Sequence, residues 1–209
     1  MRSADMATVF RTLLAILVVY LVIAKVSPIL IAALIAVTML LDAFDGYLAV
    51  REISKGKVSF ATYMSAAAGN KAAAAVVKGW KQKVAKSSKH GARMDVAGDR
   101  VVEYSFWIVF TYLNVLPLYV LLIIVIRHSF VDAVMANKGT SSKMKTRFAE
   151  VVYSSPLGRG GINVVKFLAF SYLAFMYIWG APALVGYALV VVLVAYIVLR
   201  GIAELYENM

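Results

Sequence analysis

The stretch Leu40-Leu41-Asp42-Ala43-Phe44-Asp45-Gly46-Tyr47-Leu48-Ala49-Val50-Arg51 closes an apolar run that begins at Pro28. Without its aspartates the run is long enough to cross a bilayer as a helix, which takes about 20 apolar residues. Two carboxylates inside such a segment each cost about 2.5–3.5 kcal/mol on insertion scales, so they need partners. Asp42 and Asp45 stand at i, i+3 and therefore share one helix face. How a membrane segment tolerates that pair is the question the rest of the chain must answer.

The surroundings are those of an integral membrane protein. Of 209 residues, 62% are hydrophobic, and the mean hydropathy is +0.81, whereas soluble domains are about half apolar. The apolar runs are continuous rather than alternating, which predicts helices and excludes outer-membrane strands. Six spans are expected, at about Ala7–Ala24, Pro28–Val50, Ala92–Leu116, Leu118–Met135, Gly161–Trp179 and Pro182–Leu199. The fold class that follows is all-α, a six-transmembrane-helix bundle, with residues 1–209 as one domain. Arg11 inside the first run, and the lack of an A-x-A site after it, argue against a cleaved signal peptide.

The net charge is +11, and its distribution carries the information. Residues 52–100 hold ten Lys/Arg and residues 137–160 hold five, whereas the short connections together hold only Lys25. The positive-inside rule then places both long connections and both termini in the cytoplasm, at an inner membrane crossed several times. Basic clusters beside apolar runs meet anionic lipid headgroups, so membrane lipid is the expected partner and nucleic acid is not. The absence of cysteine excludes disulfides and thiolate metal sites.

Residues 64–86, MSAAAGNKAAAAVVKGWKQKVAK, are rich in alanine and lysine. Two readings fit: a basic helix at headgroup level, or a tether with helical propensity. Two further carboxylates follow. Asp95 and Asp99, at i, i+4, open the third expected span at the same membrane surface as Asp42 and Asp45. Four clustered carboxylates cannot all stay ionised without a cation. Hard oxygen ligands select Mg²⁺ or Mn²⁺, and a pair of such ions about 4 Å apart serves phosphoryl chemistry. Gly46 directly follows Asp45, and Gly91 precedes Asp95 by four residues. Each leaves room for a ligand or simply eases helix packing.

Asp42-x-x-Asp45-Gly46-x-x-Ala49 followed by Gly91-x-x-x-Asp95-x-x-x-Asp99 resembles the signature of the CDP-alcohol phosphotransferases, D-x-x-D-G-x-x-A-R and then G-x-x-x-D-x-x-x-D. Every fixed position but the arginine matches. Six spans and a cytoplasmic-facing active site are also that family's pattern. The resemblance implies metal ligation by Asp42, Asp45, Asp95 and Asp99, with Asp99 also the general base. It implies nucleotide binding by Asp42, Asp45, Gly46, Ala49, Arg51, Gly91 and Asp95, and attack of an alcohol hydroxyl on a CDP-alcohol with release of CMP. Homodimerisation is a further expectation of the family. Two departures stand out. Val50 occupies the arginine's place with Arg51 one position late, and 39 residues separate Arg51 from Gly91 where the family has a short spacer. Residues 52–90 thus read as an insertion.

Weaker likenesses extend the picture. Asp5-x-x-Thr8-x-x-Arg11 is similar to an N-x-x-T-x-x-R opening in the family, or is an ordinary basic helix start. Arg127, Lys143, Lys145 and Lys166 resemble the cationic region that receives a phosphorylated acceptor in the glycerol-phosphate and inositol-phosphate branches; the alternative is topological charge. The leading expectation is a lipid-synthesising transferase. It would move a phosphatidyl-type group from CDP-diacylglycerol, or an ether-lipid counterpart, to a small polar alcohol such as a phosphorylated polyol. A soluble CDP-alcohol with a lipid acceptor is the second reading. A small cation transporter with an Asp-lined site is the third.

Overall fold

The computed structural model describes residues 3–87, 91–138 and 156–208, and these form eight α-helices with no strand among them. In chain order they are α1 (Ser3–Ile23), α2 (Pro28–Ile53), α3 (Phe60–Ala67), α4 (Lys71–Ser87), α5 (Gly91–Tyr112), α6 (Leu118–Lys138), α7 (Pro156–Trp179) and α8 (Ala183–Asn208). Four contain segments long and apolar enough to cross a membrane: Asp5–Ile23, Pro28–Ile53, Gly161–Trp179 and Ala183–Tyr206. Only 22–33% of each apolar window is buried inside the protein, so most of that surface faces outward, as lipid-facing helices require. These are the first, second, fifth and sixth expected spans. The third and fourth are helices of 22 and 21 residues, and α5 carries five charges between Arg93 and Glu103.

The tight turns share one physical device. Lys25, Asn114 and Gly180 have φ of 53°, 56° and 68°, and each lies just past a helix end. The following residue donates its N–H back five positions in two cases, Val26 to Leu21 and Val115 to Phe110, and six in the third, Ala181 to Phe175. This left-handed closure satisfies the last helical carbonyls and turns the chain within a few residues. The same closure ends α3 at Gly69, with Asn70 N–H donating to the Ser65 carbonyl. Asn70 then caps α4, its Oδ1 accepting from Ala72 and Ala73 N–H. Ser59 caps α3 through Thr62 N–H.

The chain divides into two compact units, residues 1–106 and 107–209, with the boundary inside α5. In the first unit, α1 and α2 are antiparallel neighbours. Their seam residues recur at alternating steps of three and four: Thr8, Arg11, Ala15, Val18 and Val22 on α1, and Ile31, Ile35, Thr38, the half-buried Asp42 and Asp45 on α2. This is the spacing of a helix–helix seam. The contacts Thr8–Asp45 and Arg11–Asp42 fix the register, which places Ala15 opposite Thr38, Val18 opposite Ile35 and Val22 opposite Ile31. Helices in lipid associate through close packing and polar contacts rather than hydrophobic exclusion. This seam uses both, apolar along most of its length and ionic at the aspartate end.

The insertion is neither a tether nor a helix held only by headgroups. α3 and α4 pack on each other and α4 packs on α2. Tyr47 and Val50 of α2 are buried with Val58, Tyr63 and Val77, flanked by Ala66, Trp80 and Val84. The apolar face of α4 is thus occupied by the protein itself. In the second unit, α8 packs against α6 and α7 over a core that includes Ile124, Phe170, Leu173, Leu193 and Ile197. Trp107 meets Phe170 edge-on at 5.0 Å between ring centres.

Candidate metal centre

Three helices of the first unit converge their polar residues at one place. From α2 come Asp42 and Asp45, the last two positions of its seam stripe. From α5 come Asp95 and Asp99, one turn apart. From α1 comes Arg11, whose side chain is only 3% exposed. One carboxylate oxygen each from Asp42, Asp45 and Asp95 lies within 4.8 Å of the others. Asp99 joins them through Arg11, which is ion-paired with it and with Asp42. The four aspartates that the sequence singles out are therefore together, although 52 residues separate Asp42 from Asp95.

Arg11 sits among them. Its guanidinium donates to Asp42 Oδ1, and the other terminal nitrogen lies 2.7 Å from Asp99 Oδ1 and 3.8 Å from carboxylate oxygens of Asp45 and Asp95. Thr8, one turn earlier, donates from Oγ1 to Asp45 Oδ2 at 3.4 Å. One guanidinium against four carboxylates leaves an excess of negative charge in a partly desolvated place, which is costly unless further cations join. The donor set is all oxygen and anionic, with ligand atoms close enough to share an ion. It fits a hard divalent cation.

Two glycines let the helices approach this closely. A Cβ at Gly98, between the α5 aspartates, would collide with Thr8 Cγ2, so the absence of a side chain there allows α1 to meet α5. A Cβ at Gly46 would stand 2.6 Å from Tyr63 Oη, so the space beside Asp45 is filled from the insertion. Ala49 is half-buried on α2, and Gly91 is the first residue of α5.

The displaced arginine has a structural explanation. Position 50 faces α3 and α4, where Val50 is 1% exposed within an aromatic and aliphatic cluster. Arg51 is exposed in the last turn of α2. At about 100° per residue it lies about 180° around the helix from Asp42.

Of the cationic residues expected to receive an acceptor, Lys143 and Lys145 lie outside the described residues. Lys166 is half-buried in α7. Arg127 is engaged within the second unit. Its Nε donates to the Ile197 carbonyl at 3.0 Å, and a terminal nitrogen donates to Glu204 Oε2 at 2.9 Å. The other terminal nitrogen lies 2.9 Å from His128 Nδ1. The Arg127 side chain lies across Gly201, where a Cβ would come within 2.5 Å of Nε.

Sequence reasoning noted Thr8 and Arg11 only in a weak likeness to a family opening and assigned neither to the site, and it did not consider Gly98 or Tyr63. The signal for the first two was the seam itself, since Thr8 and Arg11 continue the α1 stripe toward the aspartate end. No family model, curated protein or solved structure matches the chain, so the likeness to the CDP-alcohol phosphotransferases rests on the motif residues alone.

Proposed function

We propose that the chain is a metal-dependent CDP-alcohol phosphotransferase of a cytoplasmic membrane. The observation that carries this reading is the convergence of all four motif aspartates from α2 and α5 around one buried guanidinium. In the proposed arrangement α1, α2, α5, α6, α7 and α8 each cross the membrane, and the basic segments and the aspartate site face the cytoplasm.

Asp42, Asp45, Asp95 and Asp99 would hold one or two Mg²⁺ or Mn²⁺ ions, which neutralise the pyrophosphate and polarise the phosphorus under attack. Thr8 and Arg11 hold the carboxylates in position. Arg11 Nε makes no hydrogen bond to any described residue and is available as a donor to a phosphate oxygen. The reaction forms a bond from the acceptor's hydroxyl oxygen to the lipid-bearing phosphorus and breaks that phosphorus's bond to the oxygen leaving with CMP. Asp99 accepts the hydroxyl proton as attack proceeds. Such transfer depends on positioning and charge neutralisation more than on covalent catalysis. The donor is a CDP-lipid, and the acceptor a small polar alcohol, with a phosphorylated polyol the leading candidate.

Transport would place the carboxylates near the bilayer centre. At a rise of 1.5 Å per residue, Asp42 lies about 21 Å along a helix about 39 Å long, near its middle, and Asp45 about 26 Å along. The feature that favours chemistry over transport is that α2 runs unbroken through both aspartates, whereas transport sites sit where spanning helices are interrupted.

The test is CMP release by purified protein from a CDP-lipid, assayed with glycerol phosphate, inositol phosphate, inositol and serine. Asp99→Asn is expected to lower turnover at least about 100-fold, the lower range of general-base effects, with helix content and nucleotide binding retained. Near-normal turnover in that variant removes Asp99 as the base, and no CMP release with any acceptor removes the reading.

A further inference from the structure

The segment between the two motifs packs on the helix that carries Asp42 and Asp45, and its contacts point into the aspartate site. Tyr63 of α3 is buried against α2, its ring 5.8 Å from Tyr47, with its hydroxyl in the notch left by Gly46. Phe60 completes the wall, 5.2 Å from Tyr47 and 5.9 Å from Phe44. Above the Tyr63 ring stands Lys81 of α4, its Nζ 5.0 Å from the ring centre. The ring it covers carries the hydroxyl that abuts Gly46, the neighbour of Asp45. Lys83, two residues on, lies instead over Trp80 at 4.2 Å.

We propose that α3 and α4 form the outer wall of the aspartate site, with Tyr63 closing the space beside Gly46 and Lys81 binding a phosphate oxygen of the nucleoside diphosphate. The proposal rests on the transferase reading and adds to it two residues from a segment outside the motifs. An ammonium near the aspartate cluster is drawn to it while the carboxylates are uncompensated. Once divalent cations neutralise the carboxylates, the same ammonium faces the anion those cations bring in, and charge-assisted contacts to phosphate are the stronger kind. Stacking on Tyr63 restricts the flexible lysine stem, which lowers the entropy lost on binding. Two anions offer the same chemistry to Lys81, a lipid headgroup phosphate and the nucleotide's pyrophosphate. Its place over Tyr63, whose hydroxyl abuts Gly46 next to Asp45, favours the second.

The test uses the full chain in detergent, with CDP binding measured at saturating Mn²⁺ and Mn²⁺ binding measured alone. Lys81→Gln is expected to weaken CDP about tenfold, the size of one charge-assisted hydrogen bond, while Mn²⁺ alone binds as tightly or more tightly. Lys83→Gln is expected to bind CDP as the unaltered chain does. Equal losses in both variants would mean diffuse charge, and no loss in Lys81→Gln would mean a lysine serving lipid headgroups; either overturns the proposal. Gly46→Ala checks the wall independently. It should lower the melting temperature, and Tyr63→Phe in the same chain should restore it by removing the colliding oxygen. A Gly46→Ala chain that melts normally would show that Tyr63 does not fill that notch. If the unaltered chain binds Mn²⁺ but takes up no CDP, the transferase reading fails and this proposal with it.

Discussion

At the residue scale, Arg11 is the position on which the aspartates depend. It touches all four carboxylates and is the one cation buried among them in the described structure. Removing one partner from a buried ionic group is strongly destabilising, about 3–5 kcal/mol when the remaining charges are sealed from water. Asp42 and Asp99 are 37% and 43% exposed at their side chains, so solvent screening lowers the expected cost of Arg11→Gln to about 2 kcal/mol. Divalent cations should offset it, because they meet the same carboxylates. Thermal unfolding with and without Mn²⁺ checks this: the metal should raise the melting temperature of Arg11→Gln more than that of the unaltered chain. Equal stabilisation of both would mean that guanidinium and metal do not share the site.

Arg11 also shows what a sequence conceals. The aspartates were legible because i, i+3 and i, i+4 spacings put them on single faces, and because a carboxylate in an apolar run demands explanation. Arg11 lies 31 residues from Asp42 and 88 from Asp99, and its role depends on which α1 face meets α2. The heptad-like stripe through Thr8, Arg11 and Ala15 holds that information only once the matching stripe through Thr38, Asp42 and Asp45 is set against it. The late arginine became intelligible in the same way: Val50 is apolar because α3 and α4 cover it, which no local pattern states.

At the scale of elements, close approach of α1 to α5 decides whether two pairs of aspartates become one cluster. Gly98 is the contact point, and overpacking of a filled contact costs about 1–3 kcal/mol. Gly98→Ala should destabilise the protein by about that amount and weaken Mn²⁺ binding, since the new methyl meets the Thr8 methyl. Thr8→Ser removes that methyl and keeps the hydroxyl that reaches Asp45. The Gly98→Ala/Thr8→Ser chain should therefore recover most of both losses, read by melting temperature and Mn²⁺ affinity. Two variants that behave additively would contradict the contact. The insertion illustrates the limit of propensity at this scale. Alanine and lysine favour helix anywhere, and only the packing of Tyr63 and Val77 against Tyr47 and Val50 distinguishes a docked wall from a tether.

At the scale of the molecule, composition and hydropathy suffice for an all-helical chain with several membrane-spanning segments, because lipid forbids exposed backbone polar groups. The less apolar α5 is the exception: its charges between Arg93 and Glu103 lower its hydropathy, and two of them complete the aspartate cluster. The two units carry different polar devices. The second ties α6 to α8 through Arg127 and Glu204, and the first gathers carboxylates in excess of its buried cation.

That excess is the centre of the account, and Mn²⁺ titration of the purified chain with and without CDP measures it directly. The account predicts that CDP tightens Mn²⁺ binding several-fold, and that Asp45→Asn loses both the binding and its dependence on nucleotide. An Mn²⁺ affinity that CDP leaves unchanged, or an Asp45→Asn chain that binds metal as the unaltered one does, would contradict it.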